Sequence, residues 1–386
     1  MASSETFAHA VEWQILLACA SPVPDPVKLN ERIRRADFAS LLQLAEKHRV
    51  TGLLASRLEK FSREHLPAEA LHHLREVRRS QLLVSLGMTA ELLAVLQKFQ
   101  NVKIEALAIK GPALSVQAYG DPGMRQFGDL DFLLRDRDIY RASEIMNENG
   151  YEENVSLAAI KAGKIPGEYV FRRSPNKLLV ELHTEFTLRY FPRTVDIEGL
   201  FKRQIRVGID AHEVPALSPE DELVMICVHG AKDLWERLLW IADVAGFSTR
   251  QKNLDWDRAY DLAKDLGVAR MLSSGLQLSR DLLGAPLPEK IAADLRKDAS
   301  AEKLARQIAS WVPAGGNDPL GVLERAMFRM RMRGGLIAGP IYLMRLSFSP
   351  TEDDWATPQK GKRGKLLDAL RRPFRLARKY GKDGNR

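Results

Sequence analysis

Asp129 and Asp131 stand one residue apart in FGDLDFLL, residues 127–134. A strand sends alternate side chains to one face, which places both carboxylates on the same side, about 6–7 Å apart. Leu130, Phe132 and Leu134 then point the other way, into a core. Most Asp-x-Asp pairs are solvated turn or edge residues, but this one interrupts an apolar strand, where unpaired charge is expensive. Two anions held side by side are best resolved by a shared hard cation, Mg²⁺ or alternatively Mn²⁺. Glu181 breaks a second apolar run, LLVELH at residues 178–183. If the two strands are neighbours, three carboxylates share one or two ions and can support metal-assisted nucleotidyl transfer. Glu181 then reads as a ligand or a general base, against the plain alternative of an edge-strand glutamate facing water. His183 falls on the same face and would orient a phosphate or a carboxylate, or serve a structural role.

Lys110-Gly111 closes an apolar run at residues 102–109 and precedes a helical segment. Backbone N–H groups at such a turn, with a helix dipole behind them, suit a triphosphate. Lys110 would act as a point charge on it, and Arg125 would neutralise the leaving pyrophosphate. Ordinary surface roles are the alternative for both. A second constellation spans residues 229–243. On a single helical wheel at roughly 100° per residue, His229, Asp233, Glu236, Arg237, Trp240 and Asp243 fall within about 120°. A solvated face is the usual meaning of that split. His229 follows an apolar run, however, and Trp240 is a poor solvent residue. The pattern therefore reads as a polar face closing over the metal site, with His229, Arg237 and Asp243 contacting the donor nucleotide.

These residues need elements to hold them. Residues 6–100 read as helices, with an amphipathic pair from Phe38 to Phe61 broken near Val50-Thr51-Gly52. Gln81 to Phe99 is apolar on most faces, which predicts burial between two layers. Strands are expected over 102–109, 129–134, 168–173 and 177–184, the last two joined by Ser174-Pro175-Asn176. Helices are expected over 113–119 and 139–149, the latter capped by Asp136 or Asp138. A hairpin is expected at 205–207 with 213–214. Ser218-Pro219-Glu220-Asp221 reads as a helix start, with helices following to about Leu346. The expected fold is α+β: a small mixed sheet carrying the catalytic core (101–195), an N-terminal helical region (1–100), a hairpin plus C-terminal helical domain (196–350) and a basic tail (351–386).

The 386 residues suggest two or three domains. Net charge is +8, yet residues 360–386 alone hold eleven lysines and arginines against two aspartates. The other 359 residues therefore carry about −1, and the tail is the part suited to a weak anionic partner. A docked C-terminal helix with a solvated basic face is favoured over a dedicated nucleic-acid arm. Cys19 and Cys227 sit in apolar helical runs and read as small core residues, which fits a reducing cytoplasm. No basic leader and no membrane span is expected.

The segments IKGPALSVQAYGDPGMRQFGDLDFLL, VELH and HGAKDLWERLLWIADVA, in this order, resemble the uncharacterised nucleotidyltransferase family of the DNA polymerase β-like superfamily. The resemblance covers nearly the whole chain. It implies a polymerase β-like core, an NTP donor, and metal carried by Asp129, Asp131 and Glu181. Where the wider superfamily opens this motif with Gly-Ser, this chain has Lys110-Gly111, so no serine hydroxyl holds the phosphates there. Asp233 stands where the family often has a second histidine, so a pairing with His229 is not expected. The expected activity is transfer of an NMP to an acceptor that is a small molecule, peptide, protein or RNA. The alternative is a nucleotide- or RNA-binding protein on a degenerate transferase fold.

Overall fold

The computed structural model describes residues 10–161, 167–174, 178–185, 195–315, 321–333 and 341. Helices α1 (Ala10–Ala20), α2 (Pro26–Ile33), α3 (Phe38–Lys47), α4 (Thr51–Phe61) and α5 (Ala68–Asn101) precede the first strand. Asp25 and Asp37 cap α2 and α3 by accepting first-turn backbone N–H groups. Leu41, Leu44 and Ala45 of α3 and Leu54 and Leu58 of α4 are buried, as their spacing predicts. The break between the two helices falls at His48–Val50, where Arg49 adopts φ +56°.

Helix α5 departs from its expected burial. Met88, Leu92, Val95 and Phe99 pack on the sheet, but Leu82, Leu83, Val84 and Leu86 are exposed, Leu83 by 62%. Successive apolar residues point around the whole circumference of a helix, while only one side of this stretch meets protein. By length and composition α5 could cross a membrane, and 33% of its most apolar stretch is buried. Its packing against the sheet makes it a core helix of this fold.

Next come β1 (Ala106–Ile109), α6 (Gly111–Tyr119), β2 (Asp129–Leu134), α7 (Ile139–Glu148), β3 (Glu152–Glu153), α8 (Leu157–Lys161), β4 (Glu168–Arg173) and β5 (Leu178–His183). After them lie α9 (Ile197–Lys202), β6 (Ile205–Ile209) and β7 (His212–Ala216). The strands form one mixed sheet in the order β3-β4-β5-β2-β1-β7-β6. β2 is antiparallel to β1 and parallel to β5, so it sits at the centre. The expected hairpin joins this same sheet through β7, parallel to β1. β1 is shorter than its apolar run because α5 continues to Asn101 and Lys103 turns the chain with φ +63°. Asp136 and Asp138 form a short 3₁₀ turn and give α7 no side-chain cap. Residues 175 and 176 of the expected Ser174-Pro175-Asn176 turn lie outside the described residues, as does the basic tail.

Helices α10 (Pro219–Lys232), α11 (Leu238–Arg250), α12 (Trp256–Asp265), α13 (Ala269–Leu283), α14 (Glu289–Lys297), α15 (Ala299–Trp311) and α16 (Val322–Arg333) complete the described chain. Ser218 caps α10 and Pro219 takes its first position, as expected. These helices share one apolar core with α1–α4, in which Cys19 and Cys227 are buried free thiols. The architecture is α+β. One sheet face packs on α5 and α7 through Leu130, Phe132, Phe171, Val180 and Leu182. The other face carries a small cluster of Leu107, Ile109, Leu133, Leu200, Phe201, Leu217 and Met225. Along β2 that cluster stops at Leu133, and the next two positions on the same face are Asp131 and Asp129.

The single helix expected over 229–243 is two helices. Leu234 and Trp235 take φ +58° and +54° between α10 and α11. Trp235 is fully buried, and a Cβ at Gly230 would lie 2.4 Å from its ring. Burying that indole in the space left by glycine reverses the chain, which a wheel drawn on sequence cannot anticipate.

Candidate active site

Register alone assembles the acidic cluster. In the parallel β2/β5 pair Asp131 lies opposite Glu181, Leu133 opposite His183, and Asp129 opposite Leu179. All four polar residues therefore share a face. On the other side of β2, Ile109 pairs with Asp131 and delivers Lys110 next to it. Lys110 Nζ donates to Asp131 Oδ1 at 3.1 Å, and His183 Nε2 lies 2.9 Å from the same oxygen and 3.5 Å from Glu181 Oε2. Ligand atoms of Asp131, Glu181 and His183 all fall within 4.8 Å of one another. Asp129 faces the same way but stands outside this group, because its register partner is Leu179, two residues short of Glu181. The compact trio thus includes His183, with Asp129 beside it.

Burial would raise the Asp131 carboxyl, but the Lys110 charge and the His183 hydrogen bond overcome it and hold it well below the usual range. Burial would likewise lower His183, yet its bonds to Asp131 and Glu181 raise it to about 9. Asp129 is raised by burial and then by the Asp131 charge. Lys110, though buried, is raised by Asp131, Asp129 and Glu181. An oxygen-rich set of carboxylates with one imidazole fits Mg²⁺ or Mn²⁺, the imidazole favouring the softer Mn²⁺. The two cationic side chains lie where such an ion's charge belongs.

The turn after β1 is strained. Lys110 has φ +58° and ψ −138°, conformations that non-glycine residues rarely adopt, and Gly111 follows at φ +46°. Strain of this kind persists when its surroundings over-determine it. Glu222 of α10, buried, faces the Lys110 backbone N–H, and burial pushes its carboxyl up to about 7. As expected, Gly111 opens a helix beside the carboxylates. Lys110, in contrast, is engaged by Asp131 and does not stand free for a phosphate.

Arg125 and Asp243 also differ from expectation. Arg125 is buried and its Nε donates to Asp243 Oδ2 at 3.0 Å, while Tyr119 donates to Asp243 Oδ1 at 2.8 Å. This buried trio braces α6 against α11 and leaves Arg125 closed to pyrophosphate and Asp243 closed to the donor nucleotide. His229 is half-buried, edge-on to Trp240 with ring centroids 5.6 Å apart. Its Nδ1 lies 3.7 Å from Asp233 Oδ2, the approach not expected from sequence. Burial, then the Lys110 charge, lowers the His229 pKa well below its ordinary value, so the imidazole is neutral and the two do not form an ion pair. Arg237 stacks on Trp240 at 5.6 Å.

Sequence reasoning missed Arg49. Buried His48 accepts the Leu238 N–H on Nδ1 at 3.1 Å, and its carbonyl accepts from Leu239 at 3.3 Å. Those bonds set Arg49 beside Arg237. Partial desolvation and then the Arg237 charge lower Arg49, while Asp129 raises it, so Arg49 lies between the two. Among the described residues neither arginine has a carboxylate partner. The only clue in the sequence was the break between two amphipathic helices.

A mixed sheet thus brings carboxylates together from two parallel neighbours, beside a glycine turn at a helix head. The profile of the family described as uncharacterised nucleotidyltransferase matches residues 34–284. The chain belongs to that family. The match runs from the entry to α3 to the glycine that ends α13. Comparison with curated proteins finds no match.

Proposed function

We propose that the protein transfers a nucleoside monophosphate from an NTP to an acceptor oxygen and releases pyrophosphate. The observation that carries this reading is the convergence of Asp131, Glu181 and His183 within 4.8 Å, with Asp129 on the same strand face. Bound there, Mg²⁺ or Mn²⁺ would acidify the attacking hydroxyl and offset charge on the transferring phosphoryl group. Asp131 stays ionised at neutral pH because Lys110 and His183 support it. Glu181, opposite Asp131 and with 17% of its side chain exposed, takes the acceptor's proton or joins Asp129 and Asp131 as a ligand. The oxygen attacks the α-phosphorus, and the bond to the bridging oxygen of the β-phosphate breaks. Arg49, which feels the charge of Asp129, and Arg237 beside it, neither with a carboxylate partner among the described residues, receive the charge of the departing phosphates. The Gly111 turn offers backbone N–H groups to the same anion.

The acceptor is a small molecule, peptide, protein or RNA end, and the cytoplasm is the expected compartment. Incubation with each α-labelled NTP, divalent ion and cell extract tests the activity. Label is expected in one acceptor class with matching pyrophosphate, and Asp129→Asn is expected to abolish both. Absence of label and pyrophosphate with every NTP, in Mg²⁺ and in Mn²⁺, refutes the proposal.

A further inference from the structure

Beyond the carboxylates, a cleft of about 790 Å³ opens where the C-terminal ends of α6 and α11 meet α1, α4 and strand β6. β6 is an edge of the sheet. The charged residues lining the cleft are Arg57, Arg206, Arg250 and Lys252, with no carboxylate among the lining residues. None of the four has a carboxylate partner among the described residues. Residues 1–359 carry about −1 in total, so four cations without an acid are a local concentration of charge. One of them is held in place by the backbone. Gly120 has φ +79°, and a Cβ there would meet the Arg250 guanidinium at 2.5–2.9 Å. The missing side chain lets that guanidinium lie against the end of α6. Gln117, also in the lining, is 7% exposed, and neither of its amide atoms has a hydrogen-bond partner. A buried amide without a partner is unfavourable unless something supplies one.

We propose that this cleft is a second anion site, taking a phosphate-bearing ligand of about nucleotide size. Its volume lies within the range of small-ligand sites. Guanidinium forks suit phosphate oxygens better than ammonium groups do, and three of the four cations are arginines. The cleft is separate from the carboxylate cluster: α6 spans nine residues between them, about 13 Å. Tyr119 lines the cleft and donates to Asp243, which holds Arg125, so a buried hydrogen-bonded chain leads from the cleft to the Arg125 guanidinium. RNA carries the same phosphates, but its backbone runs on beyond a cleft of this size.

Calorimetric titration of the full chain in EDTA tests the site, using inorganic pyrophosphate, ADP and a single-stranded RNA of about twelve nucleotides. Pyrophosphate and ADP are expected to bind, and Arg57→Gln/Arg250→Gln to weaken both about a hundredfold. Arg206→Gln/Lys252→Gln, which changes only exposed side chains, should weaken both about tenfold and covers the case in which the first variant folds poorly. Arg49→Gln, at the carboxylate site, should leave this binding in place. Undiminished binding by both double variants overturns the proposal, as does a wild-type chain that binds neither small ligand. RNA bound much more tightly than ADP also overturns it, as does binding lost in Arg49→Gln alone.

Discussion

Divalent-ion binding should expel a proton from His183. Its Nε2 lies 2.9 Å from Asp131 and 3.5 Å from Glu181, and its pKa is raised to about 9. The ion requires the same nitrogen and the same oxygens, so proton and ion compete for one place. At pH 7, two units below that pKa, about one proton must leave per ion bound, at a cost of about 2.7 kcal/mol. Apparent affinity should rise about ninefold from pH 7 to pH 8 and about fiftyfold between pH 7 and pH 9, the slope easing as pH nears the His183 pKa. The converse holds without metal. A raised imidazole pKa stabilises the fold fully below the ordinary 6.5, and that contribution disappears as pH rises through about 9. The melting temperature in EDTA should therefore fall across that window, and saturating Mn²⁺ should flatten the decline. Calorimetry of Mn²⁺ binding in buffers of differing ionisation heat counts the released protons. A count near zero at pH 7 would mean that the ion rests on carboxylates alone while His183 keeps its proton, and the competition argument would be wrong.

The two aspartates should separate in stability. Asp131→Asn leaves the Lys110 ammonium and a protonated His183 without their shared partner, costing about 3–5 kcal/mol. Asp129→Asn removes a carboxylate that burial already disfavours, so it should cost less than about 1 kcal/mol while still abolishing transfer. Urea unfolding in EDTA compares them, and equal midpoints would contradict the pairing described. Gly230→Ala would drive a Cβ to 2.4 Å from the Trp235 ring and should destabilise by about 1–3 kcal/mol. An unchanged denaturation midpoint would show that the α10–α11 reversal does not depend on that contact.

Local signals were readable where one element determines them. The Asp-x-Asp strand, the Lys110-Gly111 turn, the Ser218 cap and the α3–α4 break all follow from spacing within a few residues. The placement of Glu181 beside Asp131 was conditional on two distant strands pairing, and they do pair. Polar partners were harder to read. Arg125, Asp243 and Tyr119 come from separate elements and neutralise one another, so the charge that seemed available for phosphate is already used. Arg49 acquires its position from His48 and Leu238, 190 residues apart, and no local pattern encodes that. The wheel over 229–243 failed because a buried tryptophan and a glycine outweighed helical periodicity, and the α5 surface failed because composition does not say which side has a neighbour.

The central parallel pairing also has a consequence for biosynthesis. Asp131 and Glu181 meet only across a crossover fifty residues long, and parallel partners of that separation join late because the loop between them must close first. A nascent chain that has emerged only through β2 therefore presents an incomplete chelator. If a divalent ion is held there, its full set of ligands would be assembled only once the later half of the sheet has docked, so a partly made chain would offer the wrong metal an incomplete site.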